Sequence, residues 1–214
     1  LRCALELLKT DQHLHQLTMS LWKMLLYHDE YTAKHSSNVA TYAYLTARSI
    51  GLDLHSCRNL YAAGLLHDIG KIKICSTLLN KPGSLTNHER RQIEQHTQYG
   101  QNIISLFKNI DPLIQEAAYK HHERLDGSGY PDGIKGRHIP LFVRILAVAD
   151  VYDAMTTTRP YQAERSHSCA KKIIEKEANT KFDEYIVSKF FLLFNGNSKS
   201  SLLTNLENTK LFAV

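Results

Sequence analysis

Leu65-Leu66-His67-Asp68-Ile69-Gly70-Lys71 sets a histidine beside an aspartate at the end of an apolar segment. His35, His96, His121-His122 and Asp150 offer further imidazoles and a further carboxylate, each from its own candidate helix. Such groups suit iron, manganese, zinc and nickel better than calcium. An aspartate directly after a histidine can place one carboxylate between two ions. The set predicts an all-α bundle with a metal site in its core, and metal-assisted hydrolysis as its chemistry.

Helical periodicity extends outward from this stretch. Leu5, Leu7, Leu8, Leu14, Leu17, Leu21, Met24 and Leu25 recur at three- and four-residue steps, an amphipathic helix over 2–28. Thr32 or Asp29 begins the next, which runs through His35, Val39, Tyr42, Tyr44 and Leu45 to Gly51. Residues 56–69 form a third, ending near Gly70, and Lys81-Pro82-Gly83 is a turn. Thr86 followed by Glu89 is a capping box that opens a helix through His96. Residues 111–124 form another, before a glycine-rich loop at 126–136. Pro140 starts a helix through Arg144, Ala147, Asp150 and Asp153; weaker helices occupy roughly 166–178 and 182–194. No hairpin signal, internal repeat or low-complexity tract interrupts the helical pattern. The domain boundaries expected are an N-terminal helix or linker over 1–19, a catalytic domain over 20–195, and a polar tail over 196–214.

The 214 residues are 43% hydrophobic and 22% charged, enough apolar content for one packed core and too much for disorder. The formal charge of +5 is mild and scattered. It suits an anionic small substrate and gives no patch for polymeric nucleic acid. Four cysteines without a CxxC pair fit thiols in a reducing cytoplasm. No apolar run approaches the roughly 20 residues of a membrane span, and there is no signal peptide. A start at Leu1 inside a helical pattern fits a segment of a longer protein whose upstream regulatory domain is absent. The long N-terminal helix could pair with a copy of itself to make a homodimer.

The residue types argue for phosphodiester chemistry. Two ions about 3.5–4 Å apart can hold phosphate oxygens and lower the pKa of a water between them. Neutral histidines leave most of the ionic charge uncancelled, and Asp68 and Asp150 remove only part of it. Adjacent helical side chains point ~100° apart, so His67 and Asp68 share one ion only at an edge, or serve different ions. The same holds for His121 and His122, of which His121 is the preferred ligand and His122 stays open. Asp150 lies in the apolar run Ile145-Leu146-Ala147-Val148-Ala149, where a lone charge would be costly; a metal would explain it. The chain has 12 histidines, and His13, His15, His28, His55, His88, His138 and His167 are read as surface or satisfied core residues.

These residues resemble a known family. Leu65–Lys71 is similar to the HD phosphohydrolase signature, and His121-His122-Glu123-Arg124-Leu125-Asp126-Gly127-Ser128-Gly129-Tyr130-Pro131 to the GYP extension. The stretches Ala147–Thr156, Arg159-Pro160-Tyr161, Tyr31–Ser36 and Leu79–Gly83 fit as well. The resemblance to HD-GYP domains covers roughly residues 20–195. It implies a helical bundle holding two or three iron or manganese ions, with nickel accepting the same ligands. It implies cleavage of bacterial cyclic dinucleotides, cyclic di-GMP or 3'3'-cyclic GMP-AMP, to a linear dinucleotide. By resemblance, His35, His67, Asp68 and Asp150 would hold one ion, and Asp68, His96 and His121 or His122 the second. Three-metal members carry a glutamate one turn before the first histidine; Tyr31 stands there, which favours two.

By the same resemblance Lys71 would reach a substrate phosphate, although a helix-end lysine facing a macrodipole is the plainer reading. Gly127 and Gly129 would let backbone approach a ligand, or simply make a tight turn. Tyr130, beside Pro131, would hydrogen-bond a phosphate or pack on a base. Arg144 and Arg159 are guanidinium candidates for phosphate or guanine, and Arg144 could instead brace Asp126 or Glu123. Gln162 stands where the family is often basic, which removes one substrate contact. Lys73 and Cys75 replace a common glycine and proline, with Lys73 adding charge at the rim. The reading is a metal-dependent phosphodiesterase in which Asp68 and Lys71 are the catalytic groups. The rivals are an HD-type nucleotidase acting on mononucleotides and a cyclic-dinucleotide sensor that does not hydrolyse.

Overall fold

Asp11 opens the first helix, its carboxylate accepting the Leu14 amide at 3.0 Å. The computed structural model describes residues 11–158 and 164–194. This helix, α1 (Gln12–His28), is followed after a single residue by α2 (Glu30–Ser49). Asp29 is that residue: its amide closes α1 on Leu25 while its carboxylate caps α2 at Thr32. Asp53 caps α3 (Leu54–Leu66), and a 3-10 turn over Ile69–Lys73 and the short α4 (Ser76–Leu79) come next. They are succeeded by α5 (Asn87–Glu94), α6 (His96–Ser105), α7 (Pro112–Lys120), α8 (Leu141–Thr156), α9 (His167–Lys176) and α10 (Glu184–Leu192). Among the described residues there is no strand, only one isolated bridge between Ala178 and Phe182. The expected all-α bundle is the architecture found.

Two helices form the centre. Helix α2 buries residues on nearly every face, and α8 buries Phe142, Val143 and the unbroken run Ile145–Asp150. A helix apolar around most of its circumference belongs inside a bundle. α3 and α8 pack directly on α2, while α6 packs on the 3-10 turn and on α7. Tyr42, Tyr152 and Phe190 join α2, α8 and α10 edge to face, with ring centroids 5.0 to 5.9 Å apart. His35 and Asp150 thus project from the two central, most buried helices, and the other candidate ligands come from the ends of neighbouring helices.

Three helix boundaries differ from the sequence expectation, all beside candidate ligands. The helix expected over 56–69 runs Leu54–Leu66, His67 is its C-cap, and Asp68 leaves helical geometry at φ −100°, ψ 8°. The helix expected to run through His96 breaks at Gln95. The helix expected over 111–124 stops at Lys120, because the Arg124 guanidinium donates to the carbonyls of His121 and Glu123 in place of further backbone amides. The helix read over 2–28 is described as helix only from Gln12 on; residues 2–10 lie outside the described residues, as do Arg159, Gln162 and the tail expected over 196–214.

Gly70 explains the first boundary. A Cβ there would sit 1.9 Å from the His96 carbonyl oxygen and 2.4 Å from the Gly100 amide, both backbone atoms that cannot swing aside. Only a glycine lets the turn carrying Asp68 lie against the start of α6. Gly70→Ala is therefore expected to cost at least about 2–3 kcal/mol and to lower Tm by roughly 5–10 °C, read by thermal unfolding. An unchanged Tm would show that the turn does not need this close approach.

Candidate metal centre

Three imidazoles are mounted in the same way. The Nδ1 atoms of His67, His96 and His121 lie 2.8, 2.7 and 3.0 Å from the carbonyl oxygens of Gly64, Ile93 and Ala118, each three residues earlier. A carbonyl can only accept, so Nδ1 carries the proton and Nε2 of the neutral ring is a bare lone pair. His35 does the same against a carboxylate, with Nδ1 2.8 Å from Asp153 Oδ2. Asp153 is fully buried and is held by Asn38 at 3.0 Å and Thr157 at 3.1 Å.

The bare nitrogens converge. His96 Nε2 and His121 Nε2 are 3.2 Å apart, yet neither has a proton to give the other. His35 Nε2 faces Asp150 Oδ1 at 3.1 Å. Asp68 lies between: Oδ2 is 3.4 Å from His67 Nε2 and 3.9 Å from His35 Nε2, while Oδ1 is 3.3 Å from His96 Nε2 and 3.9 Å from His121 Nε2. His122 Nδ1 stands 3.8 Å from Asp150 Oδ2. Two groups of donor atoms result, Asp68 with His96, His121 and His122, and His35 with His67 and Asp150. His67 Nε2 and Asp68 Oδ1 are buried without any hydrogen-bond partner. Lone pairs that face each other in a dry core, with two of their number orphaned, fit a divalent cation and little else. His121 and His122 both enter the cluster, where the sequence had left the choice open.

The electrostatics agree. Burial pushes the His96 imidazole down to about 4, and burial with neighbouring imidazoles holds His121 and His122 well below the usual histidine range, so these rings stay neutral, the form a metal ion binds. Burial opposes the charge on Asp68, but the Lys71 ammonium and the His67 ring beside it hold its carboxyl well below the ordinary value. Burial would also lower His35, yet its hydrogen bonds to Asp150 and Asp153 outweigh that and raise it to about 9. A proton on His35 then takes the place a metal ion would fill.

The remaining candidates divide. Lys71 Nζ lies 2.6 Å from Asp68 Oδ2 at the partly exposed edge of the cluster. Tyr130 stacks on His122, rings 4.6 Å apart and 25° from parallel. A Cβ on Gly129 would come within 2.3 Å of the His122 carbonyl oxygen. The close approach that glycine permits is therefore to the chain carrying His122, where a ligand had been one expectation. Glu123, buried, accepts the amides of Asp132, Gly133 and Ile134 at 2.7 to 3.1 Å and ties down the loop that includes Pro131. Arg144 braces the fold with a different partner from the one expected: its guanidinium pairs with Asp183, not Asp126 or Glu123, and donates to the Ile139 carbonyl, joining α8 to α10. Glu123 and Arg124 were missed by sequence reasoning, since a charged pair after two histidines looks like ordinary surface. Asp153 left a signal, one helical turn after Asp150.

The model of the HD domain family matches residues 20–186. The chain belongs to the HD domain family. Among its relatives, the 3'3'-cGAMP-specific phosphodiesterase 3 of Vibrio cholerae is 36% identical over 173 residues, 81% of this chain and 37% of that protein. A cyclic di-GMP phosphodiesterase of Thermotoga maritima is 38% identical over 170 residues, 78% of this chain and 46% of that protein. The HD domain described here thus spans less than half the length of these relatives. Its fold overlays that of the crystal structure of a cyclic GMP-AMP-specific phosphodiesterase of Vibrio cholerae with a TM-score of 0.67 at 18% identity, covering 92% of this chain and 51% of that one.

Two outcomes follow from the geometry. Asp153→Asn leaves the HD domain folded but weakens divalent metal binding about 10–100-fold, measured by competition with a chromophoric chelator; unchanged affinity would remove Asp153 from the site. In protein stripped of metal, the raised pKa of His35 contributes stability that is complete below pH 6.5 and lost as pH rises through about 9. Metal uptake displaces that proton and so strengthens with pH. The gap in Tm between loaded and stripped protein should widen from pH 6.5 to 9, and a narrowing gap would contradict the assignment.

Proposed function

We propose that this HD domain is a metal-dependent phosphodiesterase that opens a cyclic dinucleotide, cyclic di-GMP or 3'3'-cyclic GMP-AMP, to the linear dinucleotide. The observation that carries the reading is Asp68, one carboxylate with an oxygen toward each of two imidazole groups. His35, His67, Asp68 and Asp150 would hold one divalent ion, and Asp68, His96, His121 and His122 the second, as iron, manganese or nickel. Bound there, the pair would supply Lewis-acid attachment of the phosphate and a hydroxide nucleophile near neutral pH. Tyr31, whose ring lies parallel to that of His35 at 6.4 Å, offers no carboxylate for a third ion.

The chain's own groups have separate tasks. Asp68 and Asp150 offset only part of the charge of two ions, which leaves the pocket attractive to an anionic diester. Lys71, on Asp68 and partly exposed, would swing to a phosphate oxygen and stabilise charge that grows during attack. Tyr130, with Gly129 and Pro131 shaping its loop, walls the His122 side by stacking on that ring. Arg159 and Gln162 remain sequence-based candidates for substrate contact. Among the described residues no helix is long and apolar enough to cross a membrane. Met24, Leu26 and Tyr27 are exposed on α1, which suits the pairing of two copies along that helix.

Relatives named for cyclic di-GMP and for 3'3'-cGAMP support the substrate class. Metal-replete protein should cleave at least one of the two and leave nucleoside monophosphates untouched, when all are assayed side by side with elemental analysis. Asp68→Ala should lose turnover by at least about 10³-fold together with bound metal. Hydrolysis of monophosphates alone would make the domain a nucleotidase, and binding of cyclic dinucleotides without cleavage would make it a sensor.

A further inference from the structure

A groove of about 530 Å³ is lined by Lys73, Lys81, Glu89, Gln92, Gln95 and Tyr99 among others. That volume is within the ~300–1,000 Å³ usual for small-molecule clefts. Two of its lining residues lie next to the cluster along the chain. Lys73 ends the 3-10 turn that carries Lys71, and Gln95 directly precedes His96. The two walls are held together by the close contact of Gly70 with the His96 carbonyl.

The lining chemistry is that of a base rather than a phosphate. Lys81 is engaged by Glu89 at 2.6 and 2.8 Å, which leaves Lys73 as the one lining cation among the described residues without a carboxylate partner. A site built for phosphate needs several free cations. Gln92 and Gln95 are instead exposed amides, each able to donate and accept, and their side chains make no hydrogen bond among the described residues. The Tyr99 ring is half-buried in the same wall and offers a face for stacking.

We infer that this groove seats one purine base of the cyclic dinucleotide, with Tyr99 stacking on it and Gln92 and Gln95 reading its edge. The inference rests on the phosphodiester reading above and adds the residues that select the substrate. The test compares wild type with Gln92→Glu, Gln95→Glu and Tyr99→Leu on three compounds: cyclic di-GMP, 3'3'-cyclic GMP-AMP and bis(para-nitrophenyl) phosphate, a diester with no purine. Metal content and circular dichroism are recorded for each protein. The expected result is a KM for the preferred cyclic dinucleotide raised about tenfold or more, kcat within about twofold, and unchanged turnover of the purine-free diester. Unchanged KM in all three variants would overturn the inference while leaving the phosphodiesterase reading intact. Equal loss on all three compounds would do the same, since it marks a structural role. If the wild type turns over neither cyclic dinucleotide, the substrate reading fails and the groove assignment falls with it.

Discussion

Unprotonated ring nitrogens and carboxylate oxygens crowd together in the interior of this bundle, where water cannot solvate them. Each of three histidines gives its Nδ1 proton to the carbonyl three residues before it, and His35 gives its proton to Asp153. The opposite nitrogens are left with lone pairs that repel one another and the aspartates. Such an arrangement persists only if the surrounding fold is rigid and a cation, or in its place a proton or ammonium, compensates. The burial of α2 and α8 on nearly all sides supplies the rigidity. Lys71 on Asp68, and the raised affinity of His35 for a proton, supply the compensation.

The helix ends are where this constraint meets the backbone. Asp68 can face both imidazole groups because it has left α3, and a carboxylate still in helical register would have been fixed to one side. His121 and His122 both enter the cluster because α7 has stopped before them, with Arg124 donating to the carbonyls of His121 and Glu123 just past its end. The glycine-rich loop then closes over His122, held by Glu123 beneath and by Tyr130 above. Structure and chemistry share the same few residues in this region, so a change in the loop is also a change in how a candidate ligand is supported.

Much of this was legible in the sequence, because apolar periodicity sets the order of the longer helices, and clustered histidines and aspartates stand out against it. Asp150 was found by its isolation in an apolar run, a cue that survives without any structure. Exact helix ends were not legible. They depend on contacts made across the fold, such as Gly70 against His96 and Arg124 under His121, which leave no local pattern. Arg144 illustrates the converse: its residue type fits phosphate binding, but its partner Asp183 lies 39 residues away in sequence. Pairing at that distance is invisible to spacing arguments. The functional weight of Glu123 was hidden for the same reason, since a carboxylate collecting three loop amides reads in sequence as one more acidic surface residue.

The i−3 carbonyl mounts of His67, His96 and His121 have one more implication. The aim of each ring is encoded within four consecutive residues and owes little to distant neighbours. Outer helices can drift in sequence, and loops can change length, without swivelling any of the three. A lineage built on such self-contained mounts is free to vary its periphery while its inner machinery stays in alignment.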